Sequence, residues 1–293
     1  MGKLDRVFDT LWETAELNRR DLIAAGAATG FVTGFAASVQ PVMAQTMVMT
    51  APAGLDAGMV DITTATGTVP AYRAMPTGGK SRPMVLVVQE IFGVHEHIKD
   101  VCRRLAKLGY CAVAPSLYHR QGDVTKLASF PEIMPIVAKV PDAQVMGDLD
   151  ATVAWAVKAG IADENKLAIT GFCWGGRIVW LYAAHSPQLK AGIAWYGRVV
   201  GDKTDTQPAH PLDLAAKIKA PVLGLYGGAD TGIPVATLDQ LKAALGAGTK
   251  SAFQVYPDAP HAFFADYRPS YREAAAKDGW QRCTDWLKAN GVA

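Results

Sequence analysis

From residue 59 onward the apolar positions fall into two recurring patterns. Residues 59–66 and 69–75 are rich in β-branched side chains and are separated by Gly67, which predicts two strands of an antiparallel hairpin at a sheet edge. The unbroken run Met84-Val85-Leu86-Val87-Val88 predicts a strand buried on both faces, as in a parallel sheet. Val101, Leu105 and Leu108 then recur at helical spacing, Gly109 stops that helix, and 111–115 reads as the next short buried strand. Further strands are predicted at 166–170, 191–196, 222–226 and 253–256, with helices at 146–158, 174–185, near 235–245 and at 271–289. Between them lies an excursion at 116–141 whose prolines disfavour a regular helix. Strands alternating with helices predict an α/β fold, a mostly parallel doubly wound sheet flanked by helices. No internal repeat or low-complexity tract appears, so residues 45–293 are expected to form one domain.

The amino end has a different pattern. No charged residue occurs from Leu22 to Leu55. As a membrane span this stretch is poor, because Gly26, Thr29, Gly30, Thr33, Gly34 and Ser38 dilute it and Gln40-Pro41 interrupts it. As an export signal it fits: Arg19-Arg20 precede a mild apolar region, and Val42-Met43-Ala44 places small residues at −3 and −1. The stretch Asn18-Arg19-Arg20-Asp21-Leu22-Ile23 resembles a twin-arginine signal. The expectation is export to the periplasm by that machinery, cleavage after Ala44 and no stable membrane span after processing.

Composition narrows the classes. The chain has 293 residues, half of them apolar, with 29 basic and 27 acidic side chains. A formal charge of +2 with no basic cluster argues against a nucleic-acid partner. Four cysteines, at 102, 111, 173 and 283, are too few and too scattered for a disulfide scaffold or a metal site.

One of those cysteines carries chemistry. Gly171-Phe172-Cys173-Trp174-Gly175-Gly176 follows a buried strand and opens a helix, the context of a nucleophile elbow, whose glycines permit a tight turn that projects one side chain above the sheet. A thiol at a helix amino terminus is favoured as thiolate by the helix dipole. In chain order an acid and then a histidine should follow later strands, and Asp230 and His261 do, each just past a strand's carboxyl end. His261 can accept the thiol proton and Asp230 can orient the imidazole. Asp258, three residues before His261, is a rival acid that more plausibly shapes the loop. Glu90 follows the first buried parallel strand at the mouth of the same site, although a solvated helix cap is an alternative role for it. The backbone N–H groups of Ile91 and Trp174 stand where an oxyanion hole would be built. His95 and His97 near Glu90 and Glu96 suggest a metal only weakly, because i and i+2 side chains on a helix diverge.

These motifs resemble the dienelactone hydrolases, or carboxymethylenebutenolidases, of the α/β-hydrolase fold. The resemblance covers roughly 57–290 and rests on Gln89-Glu90-Ile91-Phe92-Gly93, the Cys173 elbow, Tyr196-Gly197, Gly228-Ala229-Asp230 and His261-Ala262-Phe263. It implies hydrolysis of a small lactone or ester through a Cys173 thioester, with Asp230 and His261 as partners. It also implies that Glu90 helps poise the thiol, that Tyr196 lines the pocket, and that no metal or organic cofactor is needed. Phe92, Tyr118, Arg198 and Arg268 complete the expected substrate-binding set. The family's arginines that hold a substrate carboxylate have no obvious counterpart, since 125–139 contains none; Arg268, Arg120 or Arg198 could substitute. The expected protein is a monomer acting on a small molecule. The competing reading keeps the fold without turnover, as a periplasmic binding protein or redox sensor using Cys173 as a reversible thiol.

Overall fold

The computed structural model describes residues 48–79, 81–127 and 129–293. The expected leader at 1–44 and its cleavage point lie outside the described residues.

A single sheet of eight strands runs through the molecule: β1 (Leu55–Thr64), β2 (Gly67–Pro76), β3 (Arg82–Val88), β4 (Cys111–Pro115), β5 (Ala162–Phe172), β6 (Leu189–Trp195), β7 (Val222–Gly227) and β8 (Ala252–Tyr256). Their order is β1-β2-β4-β3-β5-β6-β7-β8. The β1–β2 hairpin is antiparallel and sits at the sheet edge as predicted, β2 pairs antiparallel with β4, and the remaining pairs are parallel. The apolar run 84–88 is buried along its whole length, each Val or Leu contributing roughly 1.5–3 kcal/mol relative to exposure. This is the doubly wound α/β-hydrolase sheet that the sequence implies.

The helices are α1 (Glu96–Lys107), α2 (Phe130–Val137), α3 (Asp142–Lys158), α4 (Trp174–His185), α5 (Val235–Leu245) and α6 (Glu273–Ala289). They flank both faces of the sheet. A Cβ placed on Gly192 of β6 would stand 2.8 Å from Val179 of α4, whereas Gly279 of α6 abuts the Trp195 ring, and residues 192 and 195 of one strand point to opposite faces. Leu108, counted as part of the apolar stripe of α1, lies past the helix end and is 52% exposed.

The excursion departs from expectation, because α2 forms within it. Pro131 occupies the first turn, where its missing N–H is no loss, and Glu132 accepts from both the N–H (3.1 Å) and the hydroxyl (2.6 Å) of Ser129, closing a capping box. Pro135 is tolerated in a helix of only eight residues.

From β3 the chain goes to β4 on one side, then returns across β3 to β5 on the other. Ligand crevices of open α/β sheets lie at such a reversal, outside the carboxyl ends of the strands. The turns after β3 and β5 carry Gln89-Glu90-Ile91 and Cys173. Among the described residues no helix is long and apolar enough to cross a membrane.

Candidate active site

The turn between β5 and α4 is compressed from three sides. Gly175 presses against the Gln89 carbonyl, which a Cβ there would approach to 2.6 Å, and a Cβ on Gly176 would stand 2.5 Å from the Trp195 carbonyl. Only glycine lets β3, α4 and β6 meet this closely. Cys173 takes up the resulting bend at φ 56° and ψ −114° as the N-cap of α4, with its N–H bonded to the Trp195 carbonyl at 3.0 Å. Tyr196 (φ 38°) and Ala262 (φ 59°), at the ends of other elements, share this left-handed conformation. Such strain in residues other than glycine gathers at functional sites.

Around Cys173 the other candidates converge. His261 and Asp230 are buried, at 6% and 5% exposure, and His261 Nδ1 lies 2.6 Å from Asp230 Oδ2. Asp230 Oδ1 accepts the Gly232 N–H at 3.0 Å, which fixes the carboxylate plane. Burial opposes the imidazolium, yet the charges of Cys173 and Asp230 and hydrogen bonds to both push the His261 pKa up to about 10. The imidazole thus stands in series between thiol and carboxylate. A chain of this kind can deprotonate sulfur, hold the resulting positive charge and return the proton to a leaving group. Asp258 is exposed on the loop and plays no part in this chain.

Glu90 is 2% exposed, so it is not a solvated helix cap; His95 occupies the N-cap of α1. Its Oε2 accepts the Tyr267 hydroxyl at 2.6 Å and lies 3.2 Å from His95 Nε2. Burial works against its ionised form, but the His95 bond and the positive field of Arg268 and the two histidines hold its carboxyl well below the usual range. Arg268 is itself buried, with its guanidinium 4.3 Å from the centre of the Phe92 ring.

The phenols of Tyr118 and Tyr196 are both buried, which pushes their pKa values well up, and the charges of Cys173 and Glu90 add to the rise. Arg198 feels the same Cys173 charge, which offsets part of its desolvation. Tyr196 meets the His261 ring edge-on at 5.1 Å and Tyr118 meets Trp174 at 4.8 Å. The structure therefore brings Cys173, His261, Asp230, Glu90, Phe92, Tyr118, Tyr196, Arg198 and Arg268 into one neighbourhood. Ile91 and Trp174 occupy the two turns that Gly175 holds together. Arg120 is committed elsewhere, in an ion pair with buried Asp148.

Other residues of the site were not singled out by sequence. Tyr267 is the direct donor to Glu90, and its neighbour Asp266 is held by His97 Nδ1 at 3.2 Å and by Arg104 at 2.6 Å. Arg104 in turn bonds Asp100 at 2.6 Å, which also accepts the Thr50 N–H at 2.6 Å. The expectation that His95 and His97 diverge is incorrect: their rings stack at 6.1 Å and 17°, because His95 lies outside the helix as its N-cap. Each faces its own carboxylate, and among the described residues no group of His, Cys, Asp and Glu is arranged to hold a metal ion.

Comparison with known proteins gives the family. A protein of Methylorubrum extorquens described as "Putative carboxymethylenebutenolidase" is 60% identical over the full length of both chains. One of Salmonella typhimurium with the same description is 53% identical over 88% of this chain and 96% of its own. A crystal structure described as "Putative Dienelactone Hydrolase", from Klebsiella pneumoniae, superimposes with a TM-score of 0.77 at 53% identity, covering 80% of this chain and 98% of that one. The sequence profile of the dienelactone hydrolase family matches residues 69–291, and the chain belongs to that family.

Proposed function

We propose that the protein hydrolyses a small lactone or ester through a covalent Cys173 thioester. Cys173 Sγ attacks the carbonyl carbon while His261 holds the thiol proton. The N–H groups of Ile91 and Trp174 take the developing oxyanion. Collapse breaks the C–O bond, and His261 returns the proton to the departing oxygen. Water then adds to the thioester with His261 as base, which releases the acid and restores the thiol. Asp230 keeps the imidazole in the required orientation and balances its charge. Glu90, which accepts the Tyr267 hydroxyl and faces His95, contributes a buried negative charge that favours a proton on the neighbouring groups.

The observation that carries this reading is the placement of His261 between Cys173 and Asp230, with the 2.6 Å bond to the carboxylate. The relatives' descriptions as carboxymethylenebutenolidases favour an enol-lactone as substrate. The test is hydrolysis of dienelactone and of phenyl acetate by the purified protein beside Cys173→Ala and His261→Ala. Turnover lost in both variants supports the proposal, and turnover retained in either rejects it. Sulfenylation of Cys173 without turnover of any ester would favour a redox sensor instead.

We further propose that residues 1–44 direct export to the periplasm, on the strength of Arg19-Arg20 and the Val42-Met43-Ala44 junction. Mass spectrometry of the periplasmic protein should find Gln45 as its first residue. Replacing both arginines by lysine should retain the full-length chain in the cytoplasm.

A further inference from the structure

Residues 197–210 join β6 to a 3₁₀ turn at Pro211–Lys217 without forming a helix or strand of their own. The segment begins at the proposed reaction centre: Tyr196 meets the His261 ring, Gly197 presses on the Gly176 backbone, and Arg198 lies in the field of the Cys173 charge. Residues 201–205 are exposed, so a connection of this length needs tethers to keep one shape. Two of them are backbone bonds: the Asp142 N–H meets the Thr206 carbonyl at 2.9 Å, and the Leu212 N–H meets the Val199 carbonyl at 3.0 Å. The third is His210, which is 1% exposed.

The His210 ring is gripped at both nitrogens. Arg177 Nε lies 3.2 Å from Nδ1, and the Asp202 carbonyl lies 2.9 Å from Nε2. A guanidinium only donates and a carbonyl only accepts, so Nδ1 keeps its lone pair, Nε2 carries the proton, and the imidazole is neutral. Arg177 is fixed in turn by two bonds of 2.7 Å to Asp142, and it bonds the Ala209 carbonyl at 2.8 Å. The ring also packs against Gly201, where a Cβ would stand 2.9 Å from His210 Cε1 and 3.2 Å from Arg198 Nη1. Gly201 is thus held between the two side chains, and the place of the ring bears directly on that of Arg198. Asp213 completes the charged surroundings: it accepts the His210 backbone N–H at 2.8 Å and pairs with Lys203 at 2.8 Å.

His95, His97, His185 and His261 each face a carboxylate, where a further ring proton is welcome. His210 faces a guanidinium instead, so a proton on Nδ1 would point at the Arg177 N–H with like charge behind it. Burial and the fields of Arg177 and Arg198 hold the His210 pKa below its ordinary 6.5, against the Asp202 carbonyl and Asp142. We propose that neutral His210 is a positioning residue: pinned by Arg177, it holds the segment 197–210, and with it Arg198, beside Cys173, and a second proton on its ring releases the segment. The inference rests on Cys173 as the reactive thiol. This latch is at full strength above pH 6.5 and weakens as the pH falls below that value toward the folded pKa.

Hydrogen exchange read by mass spectrometry tests the latch. Once the segment opens, His210 regains its ordinary affinity for protons. Between about pH 7.5 and 5.5 the open population of 198–213, corrected for intrinsic exchange rates, should therefore rise roughly threefold to tenfold. His210→Asn keeps an acceptor for Arg177 and has no proton to gain, so its segment should not respond. An unchanged population in the wild type, or an equal rise in His210→Asn, overturns the latch. The positioning of Arg198 is read at the thiol itself, from the rates at which iodoacetate and iodoacetamide alkylate Cys173, since a cation beside the sulfur favours the anionic reagent. The ratio of the two rates should fall roughly threefold or more in Arg198→Met and in His210→Leu. It should stay near the wild-type value in His210→Asn and fall no further when Arg198→Met and His210→Leu are combined. A ratio unchanged in His210→Leu, or lower in the double variant than in Arg198→Met alone, overturns the positioning role while leaving the hydrolase reading intact. If neither reagent modifies Cys173, the hydrolase reading fails, and hydrogen exchange alone then judges the latch.

Discussion

Replacing Tyr267 by phenylalanine removes one oxygen and nothing else. That oxygen donates to Glu90 at 2.6 Å from a side chain that is 1% exposed, so no water can take its place, and the ring leaves no cavity. A hydrogen bond to a buried charged group contributes roughly 1.5–3 kcal/mol. For a domain of this size that corresponds to a fall in Tm of about 3–12 °C. The same energy appears as an upward move of the Glu90 pKa by about 1–2 units. The sign follows from the direction of the Glu90 shift. A carboxyl held below its ordinary 4.5 stabilises the fold above that pH and loses the contribution as the pH falls through the folded value. The variant's Glu90 takes up its proton earlier than the wild type's but still below 4.5, so the gap between the two proteins should be full from pH 7 down to the variant's folded pKa and narrow only below it. Thermal unfolding followed by circular dichroism across that range measures both quantities. A fall below about 1 °C at pH 7, against the minimum expected from a charged hydrogen bond, or a gap that widens with acid, would refute the reasoning.

Other outcomes follow from the same structure. His261, raised from 6.5 to about 10, stabilises the fold fully below pH 6.5 and progressively less toward pH 10. At about 1.4 kcal/mol per unit, urea unfolding should show the wild type losing several kcal/mol across that interval that His261→Gln does not lose. Cys173→Ala should narrow the interval by removing the sulfur's charge. Asp230→Asn should leave the fold intact and lower kcat by several orders of magnitude with little change in KM, measured on the best ester found. Arg177 clasps Asp142 through two bonds of 2.7 Å, tying the start of α3 to α4, and is 3% exposed. Arg177→Met strands the carboxylate and should cost about 3–5 kcal/mol in chemical denaturation.

The strands were legible in the sequence because parallel strands buried on both faces appear as unbroken apolar runs, and 84–88, 111–115 and 222–226 lie within observed strands. The elbow was legible because Gly171, Gly175 and Gly176 bracket Cys173 at a strand-to-helix junction. What escaped was the surrounding charge network. Tyr267 meets Glu90 across 177 positions and His97 meets Asp266 across 169, so neither pair leaves a local spacing to read. Helix α2 is a different case. Its Ser129-x-x-Glu132 capping signal was present, but the two prolines weighed against it. One sits where proline is harmless, and the other lies in a helix too short to be much disturbed.

The interlocked backbones at the elbow also bear on how this protein can change. Gly175 and Gly176 leave no room between β3, α4 and β6, so mutation cannot gradually remould that frame. The atom at the tip of residue 173 is under no such restriction, since the backbone there is set by its neighbours. Gln89, Tyr118, Arg198 and Arg268 lie on the loops that surround it. Variation that alters reactivity or substrate therefore has a rigid stage and replaceable players: side chains around the bend can be exchanged, whereas a side chain added at Gly175 or Gly176 forces the backbone it presses on to shift.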